Sequence, residues 1–520
     1  MIVINSGAFV IPEFQAEIGK LPPCLLPVAN KKLIEHQVKV LNKYFNEDIY
    51  VSLPDSYEVS DDEEALFKDL GVKVIITNTD YTLSEAVLFL LNISNLESEE
   101  TIRLLHGDTL ITEYPVHIAD CLGLGNTSYN YMWETEGKVD YEQSPSVWCG
   151  YFSFSDKSLL MKSLALSRGN FVTAVRDYSN QKPLTGYHFN GWYDFGHINT
   201  YFRSRAKLTT ERVFNSLEIK DNLLAKTGYP PKKIEAEALW FKNIPTKLKV
   251  FTPQLISYDI SELNSSYVIE YLSLMPLNEL FVHGKKPAKS WGFIFEKIFD
   301  YLDTASNFDI SSSQLECIEY DFEGLILNKS ISRIKKYSLD NNFDLDRPLS
   351  CNGINSPSIA AIIDTCIKDV LSLKSLPGII HGDLCLSNIL FDSRSNQIKL
   401  IDPRGLNFND EPTIWGDQRY DLAKLAHSVI GLYDLIISDR FRYVESNNYN
   451  FSLSFNVTQE IGKVQDELLK TNFKGIEIID VYPLIILLFI SMLPLHNDRK
   501  DRQKAMLANA VRLYNEYVKA

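Results

Sequence analysis

Apolar positions recur along this chain with two different periods, and the places where the period changes divide it. Met1–Ile4 is a short continuous apolar run that reads as a strand, and Leu33, Ile34, Val38, Leu41 and Phe45 follow at helical spacing. Ile49–Leu53 and Val72–Thr77 read as strands. Thr82 and Glu85 stand three apart as a capping box opening an apolar helix through Leu91. Ile102–Leu105 is a further strand, ending in His106-Gly107-Asp108. Such alternation predicts a parallel or mostly parallel sheet covered by helices, with ligands at the carboxyl ends of its strands. Asp108 falls at such an end.

From Val213 the pattern turns to short strands, Val213–Ile219 and Leu223–Thr227, then a helical segment, Lys232–Lys242, and a strand from Ser266 to Leu272. Residues 290–375 read as helices, with Phe293–Leu302 apolar at helical spacing. Ile379 and Ile380 then lead into His381-Gly382-Asp383. Two short strands, Ile389–Phe391 and Ile398–Ile401, flank the hairpin turn 392–396. Helices are expected at Tyr420–Tyr433, Gln459–Leu469, Val481–Leu493 and Arg502–Tyr517. The most apolar run, Val481–Leu495, holds Pro483 and Pro494 and is shorter than the roughly 20 residues a membrane span needs, so a core helix is expected and no membrane span. The basic, polar stretch Tyr201–Arg212 reads as a helix end and linker. The expected domains are 1–205, 206–275 and 276–520.

Composition narrows the field. The chain has 520 residues, 45% hydrophobic and 23% charged, long enough for two or three globular domains. A net charge of −15 argues against a nucleic-acid groove. Seven scattered cysteines with no Cys-x-x-Cys fit a reducing cytoplasm and no structural zinc site. Cys385 reads as a small buried filler, and His427 as a packed or surface helix residue. The start, Met1-Ile2-Val3-Ile4, has no basic region and reads as a strand, not a leader.

The chemistry concentrates after residue 378. Phosphoryl transfer needs an acceptor hydroxyl aimed in line and Mg²⁺ held against phosphate oxygens. A carboxylate that orients the hydroxyl proton, with an amide and a second carboxylate on the metal, supplies those parts. Asp383 fits the first role, and Asn388 and Asp402, delivered to one end by the hairpin, fit the second. The stretch resembles the catalytic loop and metal-binding hairpin of the aminoglycoside phosphotransferase and choline kinase family. The resemblance implies that Asp402 binds metal and that Asp421, in Tyr420-Asp421-Leu422-Ala423, braces the loop. It also implies a strand lysine on the nucleotide phosphates, matched by Lys226, and a helix glutamate holding it, Glu237 with Glu235 as the alternative. Backbone groups around Glu270–Leu272 would meet the adenine.

The first third resembles a sugar-phosphate nucleotidyltransferase domain. The matching pieces are residues 22–34, Gly107-Asp108, Gly150-Tyr151-Phe152-Ser153-Phe154 and Trp192-Tyr193-Asp194-Phe195-Gly196. That likeness implies Asp108 and Asp194 as Mg²⁺ ligands on a nucleotide whose α-phosphorus is attacked by a sugar phosphate, releasing pyrophosphate. The family's glycine-rich loop with an arginine is not matched: residues 6–20 hold two glycines, two glutamates and no arginine. An active nucleotidyltransferase and a repurposed binding domain both remain open here, with Lys20, Lys31 and Lys32 the available cations.

The fold expected is therefore α/β: a Rossmann-like nucleotidyltransferase domain followed by a two-lobed protein-kinase-like (α+β) domain. The expected activity is a kinase for a sugar, polyol or amino alcohol, using Mg²⁺ and ATP or another NTP, in the cytoplasm. The layout is similar to predicted capsular polysaccharide synthesis proteins, which implies an activated precursor for a surface polysaccharide. A kinase with a scaffold front domain, and a non-enzymatic nucleotide or sugar-phosphate binding protein, are the alternatives.

Overall fold

A computed structural model of the chain describes all residues except 94–100, 128, 130, 132, 137–145, 209–214, 262–263, 448 and 520. The chain divides into two compact units, Met1–Leu208 with His283–Lys285, and Thr209–Val282 with Lys286–Ala520.

The first unit is built on a seven-stranded sheet in the order Thr185–His188, Cys121–Asn126, Ser146–Phe154, Ile102–His106, Ile2–Asn5, Ile49–Pro54, Lys73–Thr77. Ile2–Asn5 runs parallel to both neighbours, with Ile2 opposite Ile49 and Arg103. Parallel neighbours need crossovers, and the helices Leu33–Tyr44, Asp61–Asp69 and Leu83–Ile93 lie in those connections. Ser146–Phe154 is antiparallel to both its neighbours, so the sheet is mixed. Val3, Leu90, Leu104, Phe152, Phe154 and Tyr178 share one buried core, which is why the central strands read as continuous apolar runs. The capping box at Thr82 forms: its N–H donates to Glu85 Oε2 at 2.9 Å, and the Glu85 N–H donates to Thr82 Oγ1 at 3.3 Å.

The second unit opens with a four-stranded antiparallel sheet, ordered Asn215–Lys220, Leu223–Gly228, Ser265–Glu270, Leu255–Asp259. Of the expected strand Val213–Ile219, residues 213 and 214 lie outside the described residues. The first hairpin turns on Asp221 and Asn222, both left-handed at φ 50° and 61°, a twist that suits antiparallel strands. Helix Pro231–Asn243 begins on a proline, whose missing N–H costs nothing in a first turn, and buries Ile234, Trp240 and Phe241.

Helices dominate the rest of this unit, among them Ala288–Ser306, Ser312–Glu323, Lys329–Asn341, Ile359–Ser372, Gln418–Val429, Gln459–Leu469 and Lys500–Tyr517. The expectation of helix throughout 290–375 fails at 348–358. There Pro348–Cys351 and Ile354–Ser358 pair across Asn352-Gly353, left-handed at φ 52° and 76°. Pro357 and the cap Ser358, whose hydroxyl accepts from the Ala361 N–H, stop the following helix from running back over them. A second hairpin, Arg442–Asn447 with Asn450–Ser454, completes a four-stranded sheet with the first.

The apolar run near the end is longer than the sequence suggests. Short 3-10 turns, Ile478–Val481 and Leu493–His496, extend helix Tyr482–Met492 at both ends. The resulting stretch has 19 residues and a mean hydropathy of 2.3, long and apolar enough to cross a membrane, but 72% of its window is buried inside the protein. It packs between Ile359–Ser372, Gln418–Val429 and Lys500–Tyr517, as a core helix does.

Candidate active sites

In the second unit, Lys226 lies within strand Leu223–Gly228 and Glu237 comes from the helix that follows. Lys226 Nζ is 2.6 Å from Glu237 Oε2 and 3.0 Å from Asp402 Oδ1. Glu237, not Glu235, is therefore the helix carboxylate that reaches it. The Tyr267 hydroxyl donates to the same Glu237 oxygen at 2.9 Å. Burial lowers the Lys226 pKa, but the Asp402 and Glu237 carboxylates outweigh it and the net shift is upward. Burial raises the Glu237 carboxyl more than Lys226, helped by the more distant Lys233, lowers it.

The loop after strand Pro377–Ile379 is fixed from below. Asp421, buried at the start of helix Gln418–Val429, accepts from the N–H groups of His381 at 2.7 Å and Gly382 at 2.8 Å. Gly382 is left-handed at φ 76°, and a Cβ there would stand 2.8 Å from Arg404 Cβ, so the position requires glycine. His381 is fully buried, its Nε2 is 3.0 Å from the Ile401 carbonyl, and burial pushes its pKa down to about 4. A neutral ring held this way pins the loop and does not shuttle protons near pH 7.

Asp383 Oδ1 lies 2.8 Å from Lys424 Nζ. Burial raises the Asp383 pKa, but the Lys424 ammonium and the Asn388 amide outweigh it and hold it at about 2. Asn388 Nδ2 donates to the Asp383 carbonyl at 2.9 Å and to its Oδ2 at 3.1 Å. The hairpin Ile389–Asp392 with Gln397–Leu400 places Asn388 and Asp402 beyond the same end, where the Ile401 N–H donates to the Asn388 carbonyl at 3.0 Å. Asp402 is left-handed at φ 55°, a conformation that costs a non-glycine residue on the order of 1 kcal/mol and is found at functional sites. An amide oxygen and a carboxylate are hard donors that suit Mg²⁺. Among the described residues no three or more His, Cys, Asp or Glu side chains converge as a metal site. An ion held here would complete its shell with phosphate oxygens and water, as Mg²⁺ does.

The segment expected at the adenine is more occupied. The Glu270 N–H donates to Gln254 O at 3.0 Å, the Tyr271 N–H to Asn222 O at 2.8 Å, and Leu272 O accepts from the Leu274 N–H at 2.9 Å. Cys385 is buried and its thiol is pushed up to about 12 by burial, as befits a packed residue. His427 is buried against Phe489, and burial moves its pKa well below the usual range. Lys424 was missed from the sequence. It stands three residues after Asp421, hence on the same helix face, and that spacing was the available signal.

In the first unit, Asp194 ends strand Trp192–Asp194 and lies opposite Thr109, next to Asp108. A Cβ on Gly196 would be 2.6 Å from Asp108 Oδ2 and 3.3 Å from Asp194 Oδ1, so both carboxylates converge on this glycine. Burial, then the Asp194 charge, push Asp108 up to about 7. The Gly196 N–H donates to Asp194 Oδ1 at 3.2 Å, the Thr200 hydroxyl donates to its other oxygen, and His197 Nδ1 is 3.7 Å away. Two facing carboxylates, one of them deprived of water, fit a divalent cation that would offset their repulsion. Beside them a cleft of about 160 Å³ is lined by Asp194, Thr200, Arg203, Lys207 and the aromatic rings of Trp133 and Trp192. Arg203 and Lys207 belong to helix Ile198–Leu208, which is the helix end expected in 201–212; residues 209–212 lie outside the described residues.

The amino-terminal cations are engaged elsewhere. Lys32 is buried in an ion pair with Glu63, Lys31 lies 3.8 Å from Glu35, and Lys20 sits 4.1 Å from the centre of the Phe9 ring. Helix Pro12–Ile18 occupies the stretch where the nucleotidyltransferase resemblance would put a glycine-rich loop.

No protein-family model matches the chain. The Dictyostelium discoideum protein named "Probable serine/threonine-protein kinase fnkB" is 40% identical over 67 residues, 13% of this chain. The chain spans 12% of the length of that relative. Among solved structures, a nucleoside-diphosphate-sugar pyrophosphorylase from Vibrio cholerae RC9 is similar over 39% of this chain and 99% of its own, at 16% identity and a TM-score of 0.32. An inositol-1-phosphate CTP transferase from T. maritima is similar over 40% of this chain and 95% of its own, at 14% identity and a TM-score of 0.29. A thermostable mutant of aminoglycoside phosphotransferase APH(4)-Ia is similar over 60% of this chain and 92% of its own, at 9% identity and a TM-score of 0.38. The chain thus resembles nucleotidyltransferases at its amino-terminal end and an aminoglycoside phosphotransferase over a longer stretch.

Proposed function

We propose that the chain is a phosphotransferase whose second unit moves the γ-phosphoryl group of ATP, or another NTP, to a hydroxyl of a sugar, polyol or amino alcohol. The observation that carries the reading is Lys226, held between Glu237 and Asp402 in the unit that also holds Asp383 and Asn388. Asp383 aims the acceptor hydroxyl at the γ-phosphorus and takes its proton as the new P–O bond forms and the bond to the nucleoside diphosphate breaks. Its low pKa makes it a weak base, which suits a loose transition state in which the proton leaves late. Lys226 binds the phosphates, and Lys424 keeps Asp383 ionised. Mg²⁺ bound through Asn388 and Asp402 supplies positive charge against the triphosphate. Leu272, with Glu270, borders the base.

In the same reading Asp108 and Asp194 hold a metal-bound nucleotide, and a sugar phosphate attacks its α-phosphorus with release of pyrophosphate. The burial of Lys32 against Glu63 favours a second reading, in which this unit binds a nucleotide or sugar phosphate without turning it over. The first reading supplies an activated precursor for a capsule or other surface polysaccharide, and both are proposed for the cytoplasm. The domains proposed are 1–205, 206–275 and 276–520.

The test is nucleotide turnover by the full chain against a panel of sugars, polyols and amino alcohols, with pyrophosphate release measured separately for the four NTPs and candidate sugar phosphates. Acceptor-dependent diphosphate production that Asp383→Asn abolishes supports the kinase. Release of pyrophosphate that Asp108→Asn abolishes supports the two-activity form, and its absence supports the binding form. A wild type inert on the whole panel leaves only a binding protein.

A further inference from the structure

The helical part of the second unit carries positive charge that the phosphoryl-transfer residues do not use. Lys329 opens helix Lys329–Asn341 directly after a π-helical turn, Gly324–Asn328, and Arg333 lies one turn further along the same face. Such turns are frequent at functional sites. Arg404 follows Asp402, with its backbone N–H donating to the His381 carbonyl at 2.9 Å and its stem against Gly382. The same loop is fastened to the π turn. A Cβ on Gly324 would stand 2.6 Å from the Phe408 ring, and the Phe408 N–H donates to Asp321 Oδ1 at 2.8 Å. Lys424 comes from a third segment to reach Asp383.

These cations are short of carboxylates. Lys424 has Asp383, and Arg333 Nη1 donates to the Ser491 carbonyl at 3.0 Å. Among the described residues nothing hydrogen-bonds or pairs with Lys329 Nζ or the Arg404 guanidinium, although Asp383 and Asp321 lie within electrostatic reach of the two respectively. Burial first, then the charges of Arg404, Arg333 and Lys424, push Lys329 down to about 6, so its amine takes up a full charge near pH 7 only when an anion lies beside it. Part-buried like charges repel, and a chain of net charge −15 has no solubility reason to gather them. Lys226 and a metal ion already answer the triphosphate, so Lys329, Arg333 and Arg404 are surplus to it.

We propose that the acceptor of this kinase is itself anionic, a hydroxyl compound carrying a phosphate or carboxylate group that Lys329, Arg333 and Arg404 bind while its hydroxyl lies at Asp383. The proposal rests on the kinase reading above and names its substrate class. In the transfer, the acceptor oxygen bonds to the γ-phosphorus, the bond to the β-phosphate oxygen breaks, Asp383 takes the hydroxyl proton, and a nucleoside diphosphate leaves. The acceptor's own anionic group passes through unchanged.

The experiment uses the full chain with ATP and Mg²⁺ on matched acceptors: glycerol 3-phosphate and glycerate against glycerol, and glucose 6-phosphate and gluconate against glucose. The expected result is a kcat/KM for an anionic member at least roughly 10-fold above its neutral parent, with the phosphate and carboxylate arms deciding which group is read. Lys329→Met then raises KM for the anionic acceptor roughly 10-fold with little change in kcat, and Lys329→Arg restores it. A thermal unfolding midpoint at or above that of the wild type shows that Lys329→Met is folded. Inorganic phosphate serves as the binding probe in an Asp108→Asn background, and Lys329→Met should weaken its binding by a similar factor. Neutral parents turned over as well as anionic ones, or phosphate binding indifferent to Lys329, overturns this proposal and leaves the kinase standing. No Asp383-dependent turnover of any acceptor overturns both.

Discussion

Replacing Lys226 by methionine keeps the length of the side chain and deletes its charge, and the structure makes the consequence asymmetric. Glu237 is 1% exposed and would keep only the Tyr267 hydroxyl, whereas the Asp402 side chain, 35% exposed, can turn to water. Removing one partner of a buried ion pair costs about 3–5 kcal/mol, because the other charge is stranded. Glu237→Gln instead leaves Lys226 with Asp402 at 3.0 Å, and a neutral amide in place of the carboxylate costs about 1–2 kcal/mol. The double variant strands no buried charge, so it should be more stable than Lys226→Met alone by about 2 kcal/mol, the signature of strong coupling. The pH dependence has a definite sign. With Lys226 gone, the folded Glu237 pKa rises further above its unfolded value. The folded state then holds a proton that the unfolded state has lost, and stability falls as pH rises above about 4.3. Lys226→Met should therefore recover stability on acidification. Urea unfolding of the full chain, with hydrogen exchange read on peptides covering 223–228 and 231–243, measures these differences locally. Equal costs for the two single variants, adding in the double, would refute the reasoning.

Asp383→Asn should lower acceptor-dependent turnover by about 10²–10⁴-fold while circular dichroism stays unchanged; retained turnover removes Asp383 from the chemistry. Asp421→Ala leaves the buried N–H groups of His381 and Gly382 without an acceptor, each costing about 1–3 kcal/mol, and faster exchange of those two amides is the readout. Asp108, with its folded pKa near 7, holds a proton between about pH 4 and 7 that the unfolded chain has lost, so its contribution to stability falls as pH rises through that window. Asp108→Asn should unfold at a higher temperature than wild type at pH 8 but not at pH 4, and Mg²⁺ at pH 8 should raise the unfolding temperature of the wild type alone. A less stable Asp108→Asn at pH 8 would contradict the close approach of the two carboxylates.

Local chemistry made much of this legible. Three strands of the first unit, at 1–4, 49–53 and 102–105, announced themselves as apolar runs because they are buried at the middle of the sheet, and the Thr82–Glu85 box is a purely local signal. The convergence of Asn388 and Asp402 followed from one short hairpin. Other features depend on contacts no local pattern contains. The Asn352-Gly353 turn is a hairpin signal, but the strand that pairs with the outer edge of Pro348–Cys351 lies near residue 450. Lys32 looked available for phosphate until Glu63, distant in sequence, was seen to bury it. Lys329 and Arg404 look like ordinary surface cations, and only the packing of the 402–412 loop on the π turn puts them together.

The sheet that joins the two late hairpins has a consequence for how the protein comes into being. Ser350 pairs with Asn450 in parallel, so a hundred residues must be synthesised before that pairing can close. His381, Asp383, Asn388, Asp402, Asp421 and Lys424 all lie inside this loop. A nascent chain halted before residue 450 therefore contains every one of these side chains yet lacks the strand that ties off their segment. Closing so large a loop is slow and entropically costly, about 4 kcal/mol for a flexible chain. The enclosed helices should thus mature together and late, with the ribosome well past the last of those residues.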